Sequence, residues 1–214
     1  MSLDTQLPLS DGAVSRTAPA EEPGTQMQRW AGHIPGELGI WIFILGDMCL
    51  YGALFGAFLY DRGADVDLFN RSAGSLHPTF GAINTMLLLT SSILVVYGVR
   101  SVRDGLSRRG PLLFRAAFAC GLGFVVVKYL EYSDLLRNDL PPTENAFFTY
   151  YYVLTGIHLT HLLAGLCILA FLLRISRKAQ IGPKDLRASE SAASFWHVVD
   201  LLWVVLFPLL YLVR

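Results

Sequence analysis

Residues 194–214 read SFWHVVDLLWVVLFPLLYLVR, a run that is long and apolar enough to cross a bilayer. A membrane-spanning helix needs roughly 20 mostly apolar residues. This run also contains His197 and Asp200, three residues apart, with Trp196 and Trp203 close by. Ionisable side chains at membrane depth are costly, and they usually face protein rather than lipid. The stretch therefore predicts a membrane helix that packs against other helices through an imidazole and a carboxyl group.

Four further segments of the 214-residue chain have the same apolar character, and only 16% of all residues are charged. A soluble domain carries about 25% charged residues. The five predicted helices cover approximately residues 36–60, 80–99, 112–136, 146–173 and 192–213. The pattern predicts an all-α integral membrane bundle of five transmembrane helices. The net charge is zero and no basic stripe is present, which argues against nucleic-acid binding.

The regions outside the apolar segments predict the domain organisation and the orientation. Residues 1–28 are rich in Ser, Thr, Pro, Ala and Glu, which is typical of a disordered polar tail before a membrane domain of residues 29–214. Loops rich in Lys and Arg stay in the cytoplasm. The loops after the second and fourth segments carry Arg100, Arg103, Arg108, Arg109, Arg174, Arg177, Lys178, Lys184 and Arg187. We therefore expect a cytoplasmic N-terminus and a C-terminus on the outside.

Polar side chains recur at membrane depth within the predicted helices. They are Asp47, Asn84, Lys128, Glu131, His158, His161, His197 and Asp200. Lys128 and Glu131 are spaced to neutralise each other, and so are His197 and Asp200. We interpret these groups as a polar interior that joins the helices. A proton relay through the acids and histidines is the alternative, because such chains mark proton pathways.

Three histidines at membrane depth also raise the question of a metal or haem site. His158, His161 and His197 could in principle bind zinc, copper or haem. A haem–copper centre needs more histidines, so hydrogen bonds to carboxyl and carbonyl groups are the favoured interpretation. We therefore predict no catalytic, metal or cofactor site. A small membrane cytochrome or quinone-linked haem protein that uses these three histidines is the alternative hypothesis.

Small residues indicate where helices could approach closely. Gly52 and Gly56 form a GxxxG pattern in the first segment, Gly121 lies in the third, and Gly165 follows His161 in the fourth. Such positions let membrane helices pack backbone against backbone. We expect helix contacts at these glycines.

Taken in order, the segments resemble subunit III of the haem–copper respiratory oxidases over residues 30–214. The matching stretches are WIFILGDMCLYGALFGAFLY, GAINTMLLLTSS, VKYLEYSDL, TGIHLTHLLAGL and FWHVVDLLWVVLFPLLY. The five-helix length is similar to the short bacterial branch of that family. Within this branch the chain looks most like NorE-type accessory proteins, which are associated with nitric oxide reductase.

The resemblance implies a membrane subunit that has no redox centre of its own. Such a subunit packs against the catalytic haem–copper subunit in the bacterial inner membrane, binds phospholipids, and supports proton uptake and stability during turnover. The enzyme would be the whole complex, a cytochrome c oxidase or a nitric oxide reductase. The family positions carried over to this chain are Asp47, Glu131, His158, His161, Trp196, His197 and Asp200.

Overall fold

The computed structural model describes residues 38–104, 109–178 and 182–212. The elements are α1 (Leu38–Ala64), α2 (Val66–Gly74), α3 (Pro78–Arg103), α4 (Arg109–Arg137), α5 (Ala146–Ile175) and α6 (Pro183–Phe207), followed by a π-helical turn (Pro208–Leu212). Five long helices have the length and composition to cross a membrane. The predicted all-α class with five spanning helices is thereby confirmed. The predicted polar tail lies outside the described residues, and the predicted orientation stays a prediction.

Two elements depart from the sequence prediction by more than a few residues. The last helix begins at Pro183, well before the expected start at residue 192. Its first turns are polar, so a search for apolar runs misses them, although proline is favoured at the first helical position. The second element is the short helix α2, which was not predicted. It is amphipathic, and the Asp65 carboxyl group caps it by accepting a hydrogen bond from the Leu68 amide at 3.0 Å.

The helices pack in a closed group of four with one helix outside it. In this group α3 packs against α4, α4 against α5, α5 against α6, and α6 against α3. The outer helix α1 packs against α5 and α6. Consequently α6 contacts helices on several sides, and its side chains at Trp196, Trp203 and Leu206 are fully buried.

Glycines at the centre of the group make room for Trp196. A Cβ atom placed on Gly165 would lie 2.8 Å from the Trp196 ring, and one on Gly121 would lie 3.1 Å from it. The expected close contacts at these two glycines are confirmed. The expectation for Gly52 and Gly56 is wrong within the described ranges, because a Cβ atom at either would have no neighbour within 4 Å. Both glycines lie on the outer side of α1, away from α5.

Candidate functional site: a polar interior

A buried ion pair lies in the second half of α4. Lys128 and Glu131 are 1% and 2% exposed, and Lys128 Nζ donates to Glu131 Oε2 at 2.8 Å. The ammonium group also donates to the hydroxyl groups of Tyr211 at 3.0 Å and Tyr151 at 3.3 Å. An ammonium group has three N–H donors, so all of them are used. The predicted pairing of Lys128 with Glu131 is confirmed.

Aromatic rings complete the surroundings of this ion pair. The Lys128 ammonium group lies 4.9 Å from the centre of the Trp203 ring and 5.1 Å from that of Tyr151. Rings at these distances attract a cation through their electron-rich faces. Glu131 Oε1 accepts a hydrogen bond from the Tyr211 hydroxyl at 2.6 Å. Both charges are therefore compensated inside the bundle.

A second pair joins α1 to α5 near the middle of α5. His161 Nε2 lies 3.0 Å from Asp47 Oδ1, and His161 Nδ1 lies 2.9 Å from the carbonyl oxygen of Ile157. Because a carbonyl only accepts, Nδ1 carries a proton. One further proton lies between Nε2 and the carboxyl group. The pair is then either imidazolium with carboxylate or neutral imidazole with carboxylic acid, and it has no net charge in either case.

His158 lies between these two pairs, deep in the bundle. It is fully buried, and the centre of its ring lies 5.1 Å from that of Trp203 and 5.5 Å from that of Phe124, both in tilted contacts. Neither ring nitrogen has a hydrogen-bond partner among the described residues. Burying a polar group without a partner is costly. The contacts of this histidine are nevertheless with aromatic rings, and not with the carboxyl or carbonyl group that the sequence suggested.

The polar groups of the opening sequence stretch face α3. His197 Nδ1 is hydrogen bonded to Ser92 Oγ at 2.7 Å, and the ring is partly exposed. Asp200 is 4% exposed and lies near the same serine. Neither of its carboxyl oxygens accepts a hydrogen bond in the described part of the chain. The predicted pairing of His197 with Asp200 is therefore wrong, because the imidazole turns to the neighbouring helix instead.

The seam between α3 and α6 has polar contacts at three levels. In addition to Ser92 with His197, the indole N–H of Trp203 donates to Thr85 Oγ1 at 3.1 Å. Nearer the start of α6, Arg103 donates to Glu190. A hydrogen bond between membrane helices typically contributes about 0.6 kcal/mol to stability. Because this is small, the main effect of the three contacts is to fix the register of α3 against α6.

Two other predicted site residues are buried in the helix group. Asn84 on α3 is fully buried, and neither polar atom of its side chain has a hydrogen-bond partner among the described residues. The indole N–H of Trp196 also has no partner among them. All of the predicted positions thus lie in or beside the interior. The structure joins them in separate clusters rather than in one continuous site.

Some participants could not be recognised from spacing. Tyr151 and Tyr211 complete the Lys128 site, and Ser92 is the partner of His197. Tyrosines near helix ends are usual at the membrane interface, so nothing in the pattern marked these two as interior. The sequence feature that could have indicated these tyrosines is Lys128, because three N–H donors at membrane depth require acceptors nearby.

The three membrane-depth histidines do not converge on a common point. His158 contacts aromatic rings, His161 contacts Asp47, and His197 contacts Ser92. Across residues 38–104, 109–178 and 182–212, no group of three or more potential ligand side chains is placed to hold a metal ion. The geometry gives the alternative hypothesis of a histidine-ligated haem no support.

These features define a class: an integral membrane protein with five spanning helices and a polar interior that contains two buried acid–base pairs. A family model described as cytochrome c oxidase subunit III matches residues 31–213. The chain therefore belongs to the cytochrome c oxidase subunit III family, and it is a multi-pass protein of the cell membrane.

Individual relatives agree with this assignment. The chain is 32% identical over 188 residues to cytochrome c oxidase subunit 3 of Thermostichus vulcanus, covering 82% of this chain and 86% of that protein. It is 28% identical over 182 residues to cytochrome bo(3) ubiquinol oxidase subunit 3 of Pseudomonas putida, covering 82% and 84%. It is also 30% identical over 185 residues to heme-copper oxidase subunit I+III of Aeropyrum pernix, where the match covers 81% of this chain and 22% of the longer protein.

Proposed function

We propose that this chain is a non-catalytic subunit that packs against the catalytic haem–copper subunit of a respiratory complex, stabilises it and supports its proton uptake. The observation that carries the proposal is the pairing inside the bundle. Lys128 is neutralised by Glu131, and His161 is paired with Asp47. The Asp47–His161 pair joins α1 to α5, and the described residues contain no group of three or more potential ligand side chains placed to hold a metal ion.

The relatives support the choice of partner. One of them is named as subunit I+III, which places the two subunits in a single chain in that protein. Where the two subunits are separate chains, the simplest equivalent of such a fusion is a direct contact between this chain and a catalytic subunit. The relatives described above are named as oxidase subunits, which favours an oxidase over the nitric oxide reductase of NorE-type proteins.

Purification with a tag on this chain tests the proposal. In mild detergent we expect the catalytic subunit to co-purify, together with its haem absorbance, and mass spectrometry of the partner distinguishes oxidase from nitric oxide reductase. The isolated chain is expected to show no Soret band. A complex that lacks the chain is expected to keep its haem and to lose activity faster during turnover.

Two results would contradict the proposal. One is the absence of any haem–copper subunit from the co-purified proteins. The other is stoichiometric haem in the isolated chain that is lost on substitution of His158, His161 or His197 by alanine, which would establish the small membrane cytochrome instead. We further propose that the outer surfaces of the helices contact membrane phospholipids.

A further inference from the structure

A carboxyl group lies deep in the bundle without a counter-charge. Asp200 on α6 is 4% exposed, and neither of its oxygens accepts a hydrogen bond from any residue that the structure describes. An ionised carboxylate is costly to remove from water unless a cation or several hydrogen-bond donors compensate it. A carboxyl group in such surroundings keeps its proton instead. Asp200 is therefore a neutral carboxylic acid with an O–H donor of its own.

The other ionisable groups of the interior do not supply the missing counter-charge. Each of them has contacts elsewhere: Lys128 with Glu131 on α4, His161 of α5 with Asp47 of α1, and His158 of α5 with the rings of Phe124 and Trp203. The polar side chain near Asp200 is that of Ser92, which belongs to α3. Ser92 in turn contacts His197, so three groups from two helices follow one another.

The hydroxyl group of Ser92 determines where the protons lie in this sequence of groups. Ser92 Oγ is 2.7 Å from His197 Nδ1. A hydroxyl group has one proton to donate, and the oxygens of Asp200 do not accept it. Ser92 therefore donates to Nδ1, and its lone pairs are available to accept from the O–H of Asp200. The imidazole is then neutral, with its own proton on Nε2.

The imidazole brings this sequence of groups to the surface of the bundle. Its ring is partly exposed, and Leu201, one turn further along α6, is 51% exposed. A polar ring at membrane depth usually faces protein or water rather than lipid. A proton can therefore be exchanged at His197 Nε2, whereas the buried carboxyl group of Asp200 is accessible only through Ser92.

We infer that Asp200, Ser92 and His197 form a proton-exchange site, in which the proton of the carboxyl group leaves and returns through the imidazole. For release, the O–H proton of Asp200 moves to Ser92 Oγ while the hydroxyl proton of Ser92 moves to His197 Nδ1. The imidazolium then gives its Nε2 proton to a basic group of the protein or water that covers the ring. The carboxylate left behind accepts a hydrogen bond from Ser92, which accepts one from Nδ1. One proton is released, and uptake reverses the same steps.

Infrared spectroscopy of the purified full chain tests the protonation of Asp200. The C=O stretch of a protonated carboxyl group is separate from the absorption of a carboxylate. We expect wild type to show a protonated-carboxyl band that Asp200→Asn lacks, because the amide has a similar size and no such group. Ser92→Ala should shift the same band, since the O–H of Asp200 loses its acceptor.

Transfer to deuterium oxide tests the path to the surface. Deuteration of the carboxyl group shifts the Asp200 band, so the rate of that shift is the rate of proton exchange. We expect Ser92→Ala and His197→Phe each to slow the exchange about a hundredfold, the lower end of what a positioned proton-transferring side chain contributes. A loss of packing alone would make the exchange faster. Ser91→Ala is the matched control, because that hydroxyl group donates to the carbonyl oxygen of Ala117 on α4, and it should leave the rate unchanged.

Three results would overturn the inference. An Asp200→Asn spectrum that keeps the whole band would show that Asp200 is ionised. Exchange in Ser92→Ala and His197→Phe that is as fast as in wild type would exclude the path through Ser92. If Asp200→Asn does not fold, the band is identified by its shift in Ser92→Ala, and a spectrum without such a shift is the contrary result.

As a contribution to proton uptake this site rests on the proposed function, but its protonation and exchange do not. The spectra are taken from the chain alone, and co-purification of the catalytic subunit with wild type is recorded separately. A failure of the proton-exchange site is thereby distinguished from a failure of the proposed function.

Discussion

The hydroxyl group of Tyr211 donates a 2.6 Å hydrogen bond to Oε1 of Glu131 and accepts one of 3.0 Å from Lys128 Nζ. One oxygen atom thus contacts both members of a buried ion pair. Tyr211 belongs to the π-helical turn that follows α6, whereas Glu131 and Lys128 belong to α4. Pro208, the first residue of that turn, has no amide N–H and cannot continue the α-helical hydrogen bonding. The side chain of Tyr211 fixes this π-helical turn to α4.

Substitution of Tyr211 by phenylalanine tests this attachment. The change leaves one carboxyl oxygen and one ammonium proton without a partner, which should lower the free energy of unfolding by about 1–3 kcal/mol. Thermal unfolding of the purified chain in detergent measures the loss. Tyr129→Phe is the matched control, because that tyrosine is 71% exposed and the same hydroxyl is removed from the surface of α4. Equal stability of the two variants would contradict the role of Tyr211.

Breaking the ion pair from one side should cost more than removing both charges. Lys128→Met leaves the Glu131 carboxylate buried without its counter-charge, and we expect a loss of about 3–5 kcal/mol. In the double variant Lys128→Met/Glu131→Gln the amide oxygen still accepts from Tyr211, and no charge remains. The double variant should recover a large part of the lost stability. A double variant less stable than Lys128→Met alone would show that the two charges are not coupled as described.

The sequence predicts the helices well because length and apolar content alone determine whether a segment spans a membrane. Contacts along one helix are partly predictable too, as Lys128 and Glu131 demonstrate. The same i,i+3 rule fails for His197 and Asp200, because Ser92 on α3 offers the imidazole a nearer partner. Which helix lies beside which depends on tertiary packing. Spacing therefore identified the polar residues but could not assign their partners across helices.

The attachment of α1 depends on polar contacts to α5. Asp47 is paired with His161 at 3.0 Å, and near the other end of α1 the Tyr150 hydroxyl donates to Asp61 at 2.6 Å. Because α1 lies outside the group of four helices, Asp47→Ala should increase the hydrogen exchange of α1 amides more than that of α4 amides. Asp67→Ala is the control, since that exposed residue lies on α2.

Combining Asp47→Ala with His161→Ala measures the strength of this contact. Residues in direct contact show a coupling energy of about 0.5–3 kcal/mol in a double-mutant cycle. We expect a coupling in that range from the thermal stabilities of the wild type, the two single variants and the double variant. Strictly additive effects would show that the pair does not hold α1 in place.

A glycine of α1 and a glycine of α5 should respond in opposite ways to the addition of a methyl group. At Gly165 the new Cβ atom would lie 2.8 Å from the Trp196 ring, which is fully buried between α4 and α5 and cannot move away. Gly165→Ala is therefore expected to lower stability by about 1–3 kcal/mol through overpacking. At Gly52 no neighbour lies within 4 Å, and alanine is favoured over glycine in a helix by about 0.5–1 kcal/mol. Gly52→Ala should leave thermal stability in detergent unchanged or slightly raised. A loss of stability at Gly52 equal to that at Gly165 would mean that the outer side of α1 packs against another part of the folded chain.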